Sequence, residues 1–217
     1  MLKISNFEVM GWEHAIRGMR NPMNSWENSD SWWNGAFNYS NGTPVWSIGD
    51  NDLSLMKRLR NAGTDHRKFM RMIVVYVDLT APLYWWKEFD TYKVGTVANS
   101  CSTMHKIAEK RFKRDDFSHE HLMDGGNYIL NSTIDILNEY RAQYLDSKDK
   151  KYWWQMIQLL PSSYNQRRTV MLNYEVLANI YKSRRNHKLD EWHTFCDWIE
   201  ELPYSELITG YEEEEDK

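Results

Sequence analysis

The sequence predicts an α+β fold, with a small sheet whose buried central strand is packed by several long helices. The strand prediction comes from Phe69–Leu79, a segment rich in β-branched residues and apolar on both faces. The helix prediction comes from long segments of helical apolar spacing that dominate the second half of the chain. At 217 residues, with 14% aromatic side chains, the chain can bury a core without disulfides. We therefore predict a single domain over residues 1–217, with an acidic tail at 212–217 that is expected to be solvated and disordered.

The elements before the central strand are predicted from local patterns. Weak alternation over Leu2–Val9 predicts an edge strand, and Met10–Arg20 predicts a short helix. The segment Asn21–Asp52 is rich in Asn, Ser, Gly and Trp, which predicts an ordered loop whose Trp side chains are buried against the core or a partner chain. Apolar positions at helical spacing predict a helix over Leu53–Asn61, and Gly63 follows where a C-cap belongs.

The elements after the central strand are mainly helical. Ala81-Pro82 begins a predicted helix that continues to Asp90, because Pro is well tolerated in a first helical turn. The segment Thr96–Thr103 is predicted as a small-residue loop, Asp115–His121 as a polar turn, and Gly125-Gly126 as a break in the chain. Four further helices are predicted, two of them ended by Pro161 and Pro203: Asn127–Leu145, Ser147–Leu160, Val170–Arg184 and Leu189–Leu202.

Composition excludes several classes of protein. The net charge is −4 and the pI is about 6.0, which argues against binding nucleic acid through bulk charge. There is no apolar run of about 18 residues, and Met1–Glu8 lacks the apolar core of a secretory signal. Cys101 and Cys196 lie in no recognisable motif, which favours a reducing cytosol over a disulfide scaffold or a zinc site. We therefore expect a cytoplasmic protein that binds neither nucleic acid nor membrane.

The general catalytic and metal motifs are missing from the sequence. It contains no Gly-rich phosphate loop, no GxSxG, no HExxH and no paired CxxC. His119 and His121 flank Glu120, but neighbouring side chains on a helix point about 100° apart, so a polar turn is favoured over a metal site. We expect no bound metal.

The most informative stretch is Ala81–His105. It leads from the central strand through a helix into a segment with many hydroxyl and amide groups, which could cradle an anion or a nucleotide. An ordinary polar connection is the alternative, and composition alone favours it. The polar and small residues concerned are Thr91, Gly95, Thr96, Asn99, Ser100, Ser102 and Thr103.

This stretch resembles the signature of the flavin-dependent thymidylate synthases, the ThyX family, which reads Q-x-x-R-H-R-x-x-S-x-N-E-x-S-x-R-Y after an Ala-Pro helix start. With one inserted residue near Val97-Ala98, Asn99 and Ser102 match the signature Asn and second Ser. The other positions that fall on signature residues are Glu88, Thr91-Tyr92-Lys93, Thr96, Ser100 and Met104-His105.

The rest of the chain continues the resemblance. Gly63–Phe69 resembles the family's G-H-x-S/T stretch, with His66 on its His, and Leu160-Pro161 resembles its Leu-Pro. The family's N-x-R-x-L-x-N…L-R helix is matched by Asn173, Leu177, Asn179 and Arg184. The resemblance covers roughly Met10–Leu207.

The resemblance implies a homotetrameric enzyme that binds FAD, dUMP and methylenetetrahydrofolate and uses NADPH. Such an enzyme transfers a one-carbon unit reductively to C5 of a pyrimidine deoxynucleotide, converting dUMP to dTMP. Ser102 and Arg184 are implied as catalytic residues. The implied cofactor-binding residues are His66, Lys93, Thr96, Asn99, Asn173 and Asn179, and the implied substrate-binding residues are Glu88, Ser100, Ser102 and Arg184.

On the predicted helix Val170–Arg184, Asn173 and Arg184 lie eleven residues apart, which places them within about 20° of one face. A cation on an otherwise apolar helix needs a partner. A nucleotide phosphate would suit Arg184, and a structural carboxylate, Glu175 or Asp190, is the alternative.

Several positions depart from the family pattern. The Arg-His-Arg triplet has become Thr91-Tyr92-Lys93, Ser100 replaces a Glu and Met104 replaces an Arg. Glu175 stands where the late helix usually has Arg, which reverses a charge. The flavin-dependent enzyme is the first hypothesis, and these losses motivate a second one, a nucleotide- or flavin-binding protein that keeps the fold without synthase activity. A purely structural oligomer is a third.

The abundant Trp residues have two interpretations. Trp85-Trp86, Trp153-Trp154 and the segment Trp26–Trp33 could stack on a flat ring such as flavin or a base. Packing in a core or a subunit interface is the commoner role of such residues.

Overall fold

The structure, a computed structural model, describes residues 1–37 and 44–210. Its strands are β1 Lys3–Met10, β2 Trp32–Phe37, β3 Pro44–Ser47, β4 Val74–Pro82, β5 Val97–Ser100 and β6 Asn165–Asn173. Its α-helices are α1 Trp12–Arg20, α2 Asp50–Asn61, α3 Leu83–Phe89, α4 Asp124–Ser147, α5 Lys150–Leu159, α6 Tyr174–Arg184, α7 Asp190–Glu200 and α8 Glu206–Thr209. The predicted acidic tail, 212–217, lies outside the described residues.

The strands form two sheets. A four-stranded sheet has the order β1-β4-β6-β5, and β2 pairs with β3 as an antiparallel hairpin in which Trp33 lies opposite Trp46. This confirms β1 as an edge strand and β4 as an interior strand. The strand β4 begins at Val74, later than predicted, because Arg67–Met72 form a 3-10 helix.

The chain divides into two compact units. Unit 1 contains Met1–Lys3, Leu79–Thr91 and Asn99–Thr169, and unit 2 contains Ile4–Asp78, Tyr92–Ala98 and the chain from Val170 onward. In unit 1, α4 and α5 pack around apolar side chains that include Phe117, Leu137 and Met156. Its helix α3 buries Trp85, Trp86 and Phe89, so the Trp pair fills a core.

The core of unit 2 is formed largely by α1, α6 and α7. The fully buried ring of Trp192 and the nearly buried ring of Trp12 belong to it. Trp12 packs edge-to-face on Tyr174 at 5.4 Å and on Tyr204 at 5.2 Å. Such packing fixes the first turn of α6, which begins at Tyr174.

Many helix predictions are confirmed within a few residues. The helices α1, α2, α3, α4, α5 and α7 lie where they were predicted, and Gly63 has a φ of +106° just beyond the C-cap of α2. The prediction of a chain break at Gly125-Gly126 is wrong, because both glycines lie inside the first turn of α4. The segment Thr96–Thr103 is not wholly a loop, since it contains β5.

The predicted helix Val170–Arg184 is wrong over its first four residues. Val170 and Leu172 are buried while Met171 between them is partly exposed, which is the alternation of a strand. Asn173 ends β6 and caps α6, with its Oδ1 accepting a hydrogen bond from the backbone N–H of Val176 at 3.0 Å. Asn173 therefore does not share a helix face with Arg184.

The segment Asn21–Asp52 is more structured than a loop, because it contains two 3-10 helices and the β2–β3 hairpin. Three of its Trp residues are not buried against the core of this chain, so for them burial against a partner chain stays a prediction. Trp26, Trp32 and Trp33 are 48%, 55% and 47% exposed.

Two further features concern membranes and metals. None of the described helices is both long enough and apolar enough to cross a bilayer. Within residues 1–37 and 44–210, no cluster of three or more His, Cys, Asp or Glu side chains could hold a metal ion. Cys101 is exposed and Cys196 buried, and both are free thiols.

Candidate functional site

The candidate site in unit 2 centres on Arg184, the last residue of α6. Its Nε–H donates a hydrogen bond to the hydroxyl of Tyr92 at 2.9 Å. Its guanidinium carbon lies 4.9 Å from the centre of the Trp192 ring and 5.7 Å from the centre of the Tyr92 ring. Both distances are in the range of cation–π attraction, so two aromatic rings and a neutral hydroxyl orient the cation.

The turn between α6 and α7 builds this arrangement. The backbone N–H of His187 donates to the carbonyl of Arg184 at 2.9 Å, and that of Trp192 donates to the carbonyl of Leu189 at 3.0 Å. These bonds reverse the chain and bring the buried Trp192 ring alongside the C-terminus of α6. The negative end of the helix dipole lies there, which favours the positive charge of Arg184.

One alternative partner for Arg184 is engaged elsewhere. Glu175 is buried, and its carboxylate accepts from Nε of Arg67, with Nε–O distances of 2.9 and 3.1 Å. The Nη2 group of Arg67 also donates to Oδ1 of Asn179 at 3.3 Å. At this position the chain has Glu175 where the family pattern has an Arg, and Arg67 is the nearby cation that pairs with it. Sequence reasoning missed Arg67, although a buried carboxylate in place of an Arg was a signal that some other cation should pair with it.

The segment Tyr92–Ala98 packs on the start of α6. Gly95 has a φ of +77°, and a Cβ placed there would lie 2.9 Å from Nδ2 of Asn173 and 3.2 Å from Cγ2 of Val176. Only glycine allows this close approach in this conformation. The neighbouring Thr96 has a buried Oγ1 with no hydrogen-bond partner among the described residues. A buried hydroxyl without a partner is unusual, and a bound polar group would satisfy it.

The structure thus brings four predicted site residues into one region of unit 2. Gly95, which precedes Thr96, lies against Asn173 at the start of α6, and Asn179 and Arg184 lie further along that helix. The exposed Lys93 lies between Tyr92 and Gly95 in the same segment. His66 also belongs to unit 2 but lies exposed just before the 3-10 helix, and its contact with these residues remains a prediction.

The remaining predicted residues belong to unit 1. Asn99 and Ser100 are exposed residues of β5, and Glu88 is half-buried in α3. Ser102 is exposed, and its Oγ accepts a hydrogen bond from the backbone N–H of His105 at 2.9 Å. Their roles in substrate or cofactor binding stay predictions.

Two other basic residues have structural partners. In unit 1, the guanidinium of Arg168 lies 4.1 Å from the Trp86 ring and 2.7 Å from the carboxylate of Asp90. In unit 2, Arg185 pairs with Glu200, which also accepts from the hydroxyl of Tyr181 at 2.6 Å. Burial, followed by this hydrogen bond to Glu200, raises the pKa of Tyr181 to about 12.

The fold of the chain is similar to that of several solved structures. Thymidylate synthase X (ThyX) from Helicobacter pylori, in a structure with FAD and dUMP, has a TM-score of 0.68 at 15% identity, with 96% of this chain and 97% of that chain covered. A second structure of the flavin-dependent enzyme from that organism, also with FAD and dUMP, gives 0.67 at 15% identity over 95% and 97%. The UMP/dUMP methylase PolB from Streptomyces cacaoi, bound to 5-Br UMP, gives 0.59 at 12% identity over 93% and 88%.

The chain has the ThyX fold. No protein-family model matches the sequence, and no curated protein matches it. At 12–15% identity the likeness is one of fold, and it does not assign an activity to this chain. The fold expected from the signature stretch is thereby confirmed.

Proposed function

We propose that this chain binds a pyrimidine deoxynucleotide next to Arg184 and acts as a flavin-dependent, ThyX-like enzyme. The proposed reaction is reductive one-carbon transfer to C5 of the pyrimidine, with dUMP or a close variant as substrate. The observation that carries the proposal is the fixed orientation of Arg184 by Tyr92 and Trp192. A guanidinium held this way binds phosphate oxygens with little loss of side-chain entropy.

Polar side chains on α6 and on the segment that packs against its start fit a flavin. Thr96 offers a buried hydroxyl without a partner, and in the described part of the chain no hydrogen bond uses the Nδ2 groups of Asn173 and Asn179. These three side chains would hold polar edges of the ring system, with Lys93 supplying a cation. When bound, FAD supplies the redox chemistry of the one-carbon transfer, with NADPH and methylenetetrahydrofolate as co-substrates.

In this proposal the chain's own residues bind and orient. Arg184 holds the nucleotide, and Tyr92 and Trp192 fix the direction of its guanidinium. Ser102 and the other unit 1 residues keep the roles that the family resemblance implies. A homotetramer is part of the same proposal, and light scattering of the purified protein tests it.

The second candidate is a nucleotide-binding protein without synthase activity. It is favoured because both side-chain amides that are proposed to bind flavin already make hydrogen bonds within the fold. Asn173 caps α6 and Asn179 accepts from Arg67, so their side chains already have roles within the fold. The triplet position that holds Tyr92 here also contributes no cation.

Absorption spectroscopy separates the two candidates. The visible spectrum of the purified protein is recorded before and after addition of FAD, and dUMP is then titrated. A bound flavin whose spectrum changes with dUMP supports the enzyme, whereas a colourless protein that binds dUMP supports the second candidate. The absence of dUMP binding at millimolar concentration would overturn both.

The variant Arg184→Ala tests the site itself. We expect about tenfold or greater weakening of dUMP binding, because a hydrogen bond to a charged group contributes about 1.5–3 kcal/mol. Arg185→Ala is the matched control, since Arg185 is adjacent in sequence but pairs with Glu200. Equal dUMP affinities of the two variants would contradict the assignment.

A further inference from the structure

A cavity in unit 2, whose lining does not include Arg184, lies between α1 and the Trp-rich segment Asn21–Asp52 that follows it. Its volume is about 290 Å³, and its lining includes Glu13, Ile16, Arg17, Trp26 and Trp46. None of these residues has a role in the proposed synthase site. The volume is near the lower limit for ligand cavities, which suits one fused ring system better than a dinucleotide.

The segment that carries Trp26 is held rigidly. Arg20, a buried residue of the cavity lining, donates to the carboxylate of Asp52 at 2.7 Å and to the backbone carbonyl of Asn28 at 3.0 Å. The indole N–H of Trp26 donates to Oδ1 of Asn21 at 2.8 Å. The Trp26 ring is therefore fixed in place although it is 48% exposed, and a preorganised aromatic surface binds a flat ring at low entropic cost.

Two charged side chains of the cavity, Glu13 and Arg17, are complementary to a ring that has both N–H donors and acceptor atoms. Glu13 and Arg17 are one turn apart on α1 and lie on the same helix face. They do not pair with each other: among the described residues Glu13 has no ion pair or hydrogen bond, and Nη2 of Arg17 lies 3.2 Å from Nδ1 of His14. A carboxylate accepts from adjacent N–H groups, and a guanidinium donates to a carbonyl oxygen and a ring nitrogen.

We propose that this cavity binds a guanine ring. The indoles of Trp26 and Trp46 supply stacking surface, as aromatic side chains do for bases in general. Glu13 accepts from the N1–H and 2-amino groups, and Arg17 donates to O6 and N7. Guanine is the common base that carries N–H donors on one edge and paired acceptors on the other.

Calorimetric titration of the full chain with guanosine, inosine and adenosine tests the proposal. We expect a dissociation constant for guanosine on the order of 10–500 µM. Inosine lacks the 2-amino group and should bind several-fold more weakly, and adenosine should bind more weakly still. Guanosine that fails to bind at millimolar concentration, or adenosine that binds as well as guanosine, would overturn the proposal.

Variants locate the binding. Trp26→Ala should weaken guanosine binding by about tenfold, and Glu13→Gln should reduce the preference for guanosine over inosine. Trp154→Ala is the matched control, because Trp154 is similarly exposed but belongs to unit 1. The urea midpoint of each variant checks that it folds. Guanosine binding that both Trp26→Ala and Glu13→Gln leave unchanged would refute the assignment to this cavity, whatever the result with dUMP.

Discussion

Asp52 is a fully buried carboxylate on α2, and its removal should destabilise unit 2 strongly. Its Oδ1 accepts from Nε of Arg20, and its Oδ2 accepts from the hydroxyls of Ser29 and Ser31, all at 2.7 Å. Two backbone N–H groups, of Asp30 and Ser31, also donate to Oδ2 at 3.1 and 3.0 Å. The Asp52 side chain thus connects α2 to α1 and to the Trp-rich segment Asn21–Asp52.

The magnitude follows from what Asp52→Ala leaves behind. The Arg20 side chain, 5% exposed, would keep its charge without the carboxylate, and breaking a buried pair in this way costs about 3–5 kcal/mol. Four further donors would also lose their acceptor, although such losses are not additive. Asp52→Asn keeps the shape but not the charge, so we expect roughly 2–4 kcal/mol. Since domains are stable by about 5–15 kcal/mol, either change is a large fraction of the total.

The pH dependence of unfolding adds a second readout. Burial pushes the pKa of Asp52 up, but hydrogen bonds from Ser31, Ser29 and Arg20 outweigh it and leave the pKa below its ordinary value of 3.8. A lowered pKa in the folded state means that the stabilisation is present above pH 3.8 and is lost as the pH falls through the folded-state pKa. The free energy of unfolding should therefore fall less steeply with acid in Asp52→Asn than in the parent.

Urea unfolding followed by circular dichroism measures these changes. The control is Asp50→Asn, which alters an exposed carboxylate in the first turn of the same helix and should cost about 0.3–1 kcal/mol. If Asp52→Ala and Asp50→Asn had the same free energy of unfolding, the buried network would contribute nothing, and the account of a rigid Trp-rich segment would be wrong.

Three further predictions concern the candidate site and its surroundings. Tyr92→Phe keeps the ring but removes the hydroxyl that accepts from Arg184. The dUMP affinity measured by calorimetry should therefore fall about three- to tenfold, with little change in the urea midpoint. An unchanged affinity would show that the hydroxyl does not orient the guanidinium. Gly95→Ala places a side chain at a positive φ and in close contact with Asn173. The free energy of unfolding should fall by about 1–2 kcal/mol, and an unchanged value would contradict the packing of Gly95 on the start of α6. Burial and the hydrogen bond to Glu200 raise the pKa of Tyr181 to about 12, so its contribution to stability is present below pH 10 and declines as the pH rises towards 12. Glu200→Ala removes the acceptor and should lower this pKa in carbon-13 NMR of tyrosine, and an unchanged value would exclude the hydrogen bond as a cause.

Helices with a clear apolar period could be predicted from the sequence, whereas the boundary between β6 and α6 could not. The apolar residues before Asn173 continue the helical pattern of α6, so periodicity alone extends the helix back to Val170. The strand is specified by pairing within the sheet, and the backbone N–H of Tyr174 donates to the carbonyl of Ile73 at 3.1 Å. That partner lies about a hundred residues earlier in the chain, and no local pattern reveals it.

The candidate site was predictable only in part for a similar reason. Resemblance to a family pattern predicts a role for Arg184, whereas Tyr92 stands out in the sequence only as a departure from that pattern. The contact between them depends on how the segment Tyr92–Ala98 packs against α6, and the contact with Trp192 depends on the turn into α7. Neither arrangement has a signature in sequence spacing.

The departures from the family pattern follow a consistent physical logic in unit 2. Where the pattern has an Arg in α6, this chain has Glu175, and Arg67 neutralises it within the fold. Where the pattern has a His, this chain has Tyr92, which contributes a neutral hydroxyl to Arg184. Both changes reduce the positive charge available to a ligand. A nucleotide at the proposed site would thus rely on one oriented guanidinium and on polar contacts to its ring, so its binding should depend less on salt than binding to a site with several arginines.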